Sequence, residues 1–382
     1  MSRWLPHFAL LLGNMAIGLS VMAPAGMLSP LAADLHVNIH EAGLLVTYGA
    51  VVLCISSPVG AWLTSNIDRR IFHAGVIALL AIGEAATALM PDYVSVLILR
   101  LVMMAVAAVY TPQAAATIAL LVPEKERAGS IAFVFLGWSL AFAGGLPLVT
   151  FLTAQLGWRA AYVMLAILSL LFAVVLWFAL PSALKGRALS LSSFATIARN
   201  RTIVLILLLT LFTTSGQFNV VVYLAPLLHA LTGAGPTTSG AFFAMMGSLG
   251  LIGNITATSI VPRLGVQSTF AISLGVVTAG LVLWAIGAGQ LWIMGAGIAC
   301  LGLGFAASNS MQQVRLVSAA PDLAAGTIAL NTSILYVGQS VGSGIGGLLF
   351  ARHLYVAQGY AAAAFGLVGL ILLAFTWQRA PR

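Results

Sequence analysis

Twelve apolar runs constrain this chain more than any other feature. Each is close to the roughly 20 residues that a helix needs to cross a bilayer core about 30 Å thick. They occupy residues 8–30, 41–64, 72–90, 94–121, 129–154 and 159–180, then 203–229, 237–261, 269–288, 291–318, 323–350 and 357–378. Backbone amides and carbonyls find no water inside hydrocarbon, so a spanning segment must pair them internally. Helices or a closed barrel satisfy that rule. These runs are too long for barrel strands of about 9–11 residues, so an all-α membrane protein with twelve transmembrane helices is expected. Composition agrees: only 6% of the 382 residues are charged and 61% are hydrophobic. Roughly 25% charge is usual in soluble domains, and a disordered chain is poor in apolar residues.

Several function classes fall away on the same reading. Net charge is +8, yet the 16 basic residues stand singly or in pairs between apolar runs, so nucleic acid is not an expected partner. Cys54 and Cys300 lie inside apolar runs, with neither the spacing nor the setting of a disulfide or metal site. Neither Lys125 nor Lys185 follows a glycine-rich loop, so a phosphate-cradling Walker motif is lacking and nucleotide would have to be handled by a separate subunit. His36 and His40, beside Asp34 and Glu41, have a spacing that binds metal on a helix, but no third histidine is near and no metal is expected. No Ser-His-Asp set or paired carboxylates stand out, so neither an enzyme nor a cofactor is expected. Arg3, an apolar stretch and Ala23-Pro24-Ala25 have the outline of a signal peptide. The apolar run continues to Ala33 and Asn14 interrupts it, which favours a retained first crossing.

Basic residues favour the cytoplasmic side. With the N-terminus inside, that side receives Arg3, Arg69, Arg70, Lys125, Arg127, Lys185, Arg187, Arg199, Arg201, Arg263, Arg315, Arg379 and Arg382. The other side receives Arg159 and Arg352, and Arg100 lies within a run. This asymmetry predicts both termini in the cytoplasm. The longest polar interval splits the chain into a six-helix bundle at 1–181, a cytoplasmic linker at 182–202 and a second six-helix bundle at 203–382. Gly60 leading to Arg69-Arg70 is echoed 193 residues later by Gly253 leading to Arg263. Within the linker, Ser190 to Arg201 reads either as a basic amphipathic helix on the inner leaflet or as plain connection. A repeated six-helix unit is a signature of secondary transporters, whose binding sites lie near the midplane between repeats.

Specific residues then carry a family resemblance. Leu31-Ala-Ala-Asp-Leu-His-Val and Glu41-Ala-Gly-Leu-Leu-Val-Thr-Tyr resemble the helix 1–2 region of the major facilitator superfamily. Pro58-Val-Gly-Ala-Trp-Leu-Thr-Ser-Asn-Ile-Asp-Arg-Arg resembles that superfamily's loop 2–3 motif, with Thr64 where an acidic residue is usual. Arg100 resembles its membrane-embedded arginine. Gly144-Gly-Leu-Pro-Leu, followed by Gly157-Trp-Arg, resembles the antiporter motif of the drug:proton antiporter branch, with Leu146-Pro147-Leu-Val-Thr in place of the usual Gly-Pro-x-x-Gly-Gly. Asn331 to Gly347 resembles helix eleven of that branch, and the nearest subgroup is that of arabinose- and sugar-efflux-like permeases. The resemblance implies two pseudo-symmetric bundles rocking around a central site. It further implies a monomer in a bacterial inner membrane, with a small-molecule substrate and protons as partners.

Ionisable groups inside a bilayer cost at least about 2.5–3.5 kcal/mol and mark function by default. Glu84 in the third run and Arg100 in the fourth each stand eight residues from Asp92, the centre of the turn between them. At 1.5 Å per residue both lie about 12 Å deep, so they are expected to pair or to line one polar cavity; Glu84 then titrates, or the two form a static pair that fixes their helices. Neutral polar residues on helices expected to line the cavity complete the substrate and proton pathway. They are Asn14, Tyr110, Gln113, Gln217, Asn219, Tyr223, Asn309, Gln312, Gln313, Asn331, Tyr336 and Gln339. Amides and phenols suit hydroxyl-rich or amphipathic neutral ligands, and equally serve as hydrogen-bond glue between helices. Gly60, Asp68, Arg69 and Arg70 form a candidate cytoplasmic gate, or serve as topogenic charge alone. Gly144, Gly145 and Pro147, with Gly338, Gly342, Gly344, Gly346 and Gly347, are expected at close helix contacts and bends.

The expectation is therefore export of a sugar or drug-like solute by proton antiport. An uncoupled facilitator, an uptake permease and a non-transporting sensor of the same fold remain open on sequence alone.

Overall fold

The computed structural model describes residues 4–64, 66–123, 126–184, 199–319 and 324–377. Arg3, Lys125, Lys185, Arg187, Arg379, Arg382 and the stretch 190–198 of the expected amphipathic helix lie outside the described residues. Helices account for the regular structure, and no strand occurs among the described residues. Contacts divide the chain into two compact units, Met1–Leu189 and Ser190–Arg382.

The first unit holds α1 (Leu5–Asp34), α2 (Ile39–Leu63), α3 (Arg69–Ala88), α4 (Tyr93–Ala107), α5 (Tyr110–Leu121), α6 (Arg127–Leu140), α7 (Leu146–Leu156) and α8 (Trp158–Ala179). Helix α1 is the hub. It packs against the other helices of the unit, meeting α4 through the Arg100 side chain, and is buried around most of its circumference. The second unit holds α9 (Arg201–Val221), α10 (Leu224–Thr232), α11 (Pro236–Ile286), α12 (Leu291–Ala319), α13 (Ala324–Ala351) and α14 (Tyr355–Phe375). At 51 residues, α11 would be about 77 Å long if straight, more than twice a bilayer core. It breaks at Gly265, whose φ of 78° is left-handed and suits glycine, and so makes two crossings. Eleven long apolar helices thereby give twelve crossings among the described residues.

Three runs that read as continuous in sequence are interrupted. The fourth breaks at Ala108–Val109 between α4 and α5, and the seventh at Val222–Tyr223 between α9 and α10. In each case a proline, Pro112 or Pro226, stands four residues after the first residue of the break. It lacks the amide that the earlier carbonyl would have received. The fifth run carries a π-helical turn at Ala141–Gly145 just before Pro147, which accommodates the missing amide. At the α3–α4 turn, Asp92 caps α4 and accepts from the amide and hydroxyl of Ser95. These bonds hold its carboxyl below the usual carboxylate range.

Small residues set the closest approaches. A Cβ at Gly338, Gly342 or Gly346 of α13 would collide with Thr214, the carbonyl of Ser215 or the carbonyl of Asn219 on α9. This is a small-xxx-small seam of the kind that lets membrane helices touch backbone to backbone. Gly145 faces Leu19 of α1 in the same way, whereas Gly144 faces open space. Gly60 does not end α2, which continues to Leu63; it makes room for Val109 at the α4–α5 break.

Gly342→Val should therefore overpack the α9–α13 seam and destabilise the protein by about 1–3 kcal/mol. Gly144→Ala should leave stability unchanged or slightly raised. Thermal unfolding in detergent reads both, and equal effects of the two would contradict the packing described.

Candidate functional site

The polar centre of the first unit is built on a defect in α1. Pro24 has no amide, so the carbonyl of Ser20, four residues earlier, loses its helical partner. In hydrocarbon an orphaned carbonyl is costly, and Arg100 of α4 supplies the replacement. Its Nη1 donates to Ser20 O at 2.5 Å, its Nη2 to Val21 O at 2.6 Å and its Nε to Leu45 O of α2 at 3.4 Å. The side chain is 2% exposed. Glu84 of α3 is 0% exposed. Its Oε2 accepts from the hydroxyl of Ser169 on α8 at 2.7 Å.

Of the two arrangements expected for Glu84 and Arg100, an ion pair is not formed. The carbonyls of α1 and α2 take up three of the five guanidinium N–H groups, and Ser169 holds the carboxyl from the other side. The two charges still interact electrostatically, with Tyr162 of α8 sensing both. Together with Ser20, Ser169 and Tyr162 they make one buried polar cluster. Within it Glu84 Oε1, Ser20 Oγ and Tyr162 OH make no hydrogen bond among the described residues. Sequence reading named the two charges but missed Ser20, Tyr162 and Ser169. The available signal for the first was Pro24, four residues downstream.

Toward the Asp68 end of the unit lies a second network. Asp68 caps α3, accepting from the amides of Arg70 and Ile71, and also accepts from the amide of Ala183. Arg69 is buried; its amide donates to Leu184 O, and its Nη1 donates to Gln113 Oε1 of α5 at 2.5 Å. Gln113 in turn donates to Thr64 Oγ1, which donates to Gly60 O. Arg70 donates to Leu180 O and lies over the Trp177 ring. These partners are neutral and belong to the same unit. Thr64, standing where an acid is usual, takes part as a neutral member. One turn along, buried His73 meets Thr117 at 2.9 Å.

Asn14 donates to Val134 O and accepts from Thr111, bridging α1, α5 and α6; Tyr110 donates to Leu10 O. In the second unit Thr210 donates to Asn331 and Gln312 donates to Ile206 O and Thr210, joining α9, α12 and α13. Arg315 donates to Gln312, Gln267 and Thr376 and lies over Phe270. Asn309 donates to Phe305 O of its own helix, and Gln313 is half-buried. Gln339, Tyr336 and Tyr223 are buried. Gln217 and Asn219 are fully buried, and their amide atoms make no hydrogen bond among the described residues. His36 sits in the turn after α1 with φ 55°, while His40 lies in α2, so the two do not share a helix face. No metal-binding group of three or more His, Cys, Asp or Glu occurs among the described residues.

Comparison with known proteins gives a consistent picture. Residues 10–343 match the family described as Major Facilitator Superfamily. The chain is 26% identical over 356 residues to the inner membrane transport protein YdhP of Escherichia coli K12, covering 91% of this chain and 90% of that one. It is 25% identical over 359 residues to a probable sugar efflux transporter of Pasteurella multocida Pm70, covering 91% and 86%. It is 26% identical over 381 residues to the transcription regulatory protein OpdE of Pseudomonas aeruginosa PAO1, covering 98% and 94%. A crystal structure of a bacterial homolog of the human lysosomal transporter Spinster, inward-facing and unoccupied, shares the fold. The TM-score is 0.71 over 99% of each chain, at 16% identity.

If Arg100 replaces the amide that Pro24 removes, the two positions are coupled. Arg100→Met should lower stability by about 2–3 kcal/mol. In a Pro24→Ala background, where residue 24 regains its amide, the loss should be about 1 kcal/mol smaller. A double-mutant cycle on detergent unfolding checks this, and strictly additive effects would contradict it.

Proposed function

The chain belongs to the Major Facilitator Superfamily and is a multi-pass membrane transporter, and on that footing we propose that it exports a small organic solute by proton antiport. The solute is a sugar or drug-like compound, moved by alternating access across a bacterial inner membrane with both termini in the cytoplasm. The observation that carries the reading is the buried cluster of Glu84, Arg100, Ser20, Tyr162 and Ser169. It holds a carboxyl with one oxygen unbonded, inside a helical unit, next to a guanidinium with three of its N–H groups committed to backbone carbonyls. Such a carboxyl is a proton carrier in waiting. A fixed positive charge beside it favours the ionised form, and removal from water favours the protonated one, so a small rearrangement moves the balance.

Substrate contact is assigned to the neutral polar residues, chiefly Gln217 and Asn219, whose buried amides have hydrogen-bonding capacity to spare. Amides that both donate and accept suit a ligand bearing hydroxyls. The similarity to a protein called a probable sugar efflux transporter supports that class. The charges at Asp68, Arg69 and Arg70 serve as a gate by seating the α2–α3 connection against α5 and residues 180–184 in one state and releasing it in the other. Gly144, Gly145 and Pro147 give the fifth crossing the bend that this motion needs. A second reading, a sensor of the same fold that moves nothing, is favoured by the similarity to a protein called a transcription regulator.

Flux in proteoliposomes decides between them. With radiolabelled pentoses and a cationic dye as probes, an imposed pH gradient should drive accumulation against the solute gradient. Glu84→Gln should abolish that drive, at least tenfold, while leaving downhill exchange. Gradient-driven transport by Glu84→Gln would remove Glu84 as the proton carrier. A probe that binds but never moves would favour the sensor.

A further inference from the structure

The break in the seventh crossing repeats the defect in the first. Ser20 lies in the first crossing and Asn219 in the seventh, the opening helices of the two six-helix units. At Ser20 a proline removes the amide that the carbonyl needs. At Asn219 the cause is different: the amide of Tyr223, four residues on, donates instead to Val220 O at 3.1 Å as the helix tightens into the turn at Val222–Tyr223. The carbonyl of Asn219 is then met by a side chain from another helix. Gln358 of α14 donates its Nε2 to Asn219 O at 2.8 Å.

The site is built around that bond. Gln358 is 0% exposed, and a Cβ at Gly346 of α13 would lie 2.9 Å from both Gln358 Nε2 and Asn219 O. The absence of a side chain there is what lets α9, α13 and α14 converge on the break. The two plugs differ in charge. Arg100 brings a cation to the first crossing, whereas Gln358 brings a neutral amide to the seventh. A neutral donor gives up a single carbonyl at a smaller electrostatic penalty than a buried guanidinium giving up three.

We propose that Gln358 is a positioning residue for transport, its amide holding the α9–α10 break closed as Arg100 meets the orphaned carbonyl of α1. Of the two sites where a side chain meets an orphaned carbonyl, the one at Val222–Tyr223 is the hinge that opens, and Gln358 sets how readily it does so. The proposal concerns the transporter fold itself and stands whether or not the solute is exported and protons are coupled.

Amide hydrogen exchange on the full-length protein in detergent tests it. Gln358→Met keeps the length of the side chain and removes the donor. It should lower protection of residues 219–227 about tenfold, the effect expected for a buried carbonyl left unpaired. Gln358→Glu, measured at pH 5 where a buried carboxyl stays protonated and can donate, should keep wild-type protection there. Residues 14–28 of the first unit should exchange as in the wild type in both variants, which reports that each has folded. If the Met variant keeps its protection, or if the Glu variant loses it equally, the amide is not what holds the break and the proposal fails.

Discussion

Everything in this structure follows from the absence of water where the backbone lies. A carbonyl that loses its helical amide in hydrocarbon must find another donor within reach. The chain bends its crossings with prolines and turns, so it creates such carbonyls at Ser20 and Asn219, and it meets each with a side chain from a neighbouring helix. The bends are needed for a transporter to move. The donors are needed for the bends to exist.

That constraint also explains why Arg100 and Glu84 stand apart. A guanidinium is a rigid fork of donors, and three backbone carbonyls of α1 and α2 occupy it. Glu84 is left with one hydroxyl and one unbonded oxygen. A locked ion pair would fix both charges. The separated arrangement keeps a positive field at the carboxyl without clamping it, which is the condition under which a proton can come and go.

The crossings were legible because bilayer thickness imposes a length on them, and the runs from 8–30 to 357–378 could be counted directly. The interruptions were present too, in Pro112 and Pro226, but a hydropathy reading passes over a proline flanked by apolar residues. The two buried charges were also visible, since any charge in such a run is conspicuous. Their partners were not. Ser169 and Tyr162 are ordinary residues in an apolar helix until the fold brings α8 against α3. Gln358 was invisible for the same reason: its importance depends on a carbonyl 139 residues away.

The central claim is that Glu84 gains and loses a proton inside the cluster that Arg100 organises. Infrared difference spectroscopy between high and low pH, on the purified protein in lipid, observes that event directly. The account predicts a carbonyl stretch of a protonated buried carboxylic acid that appears as pH falls and is missing in Glu84→Gln. An identical difference spectrum in the wild type and the variant would contradict it.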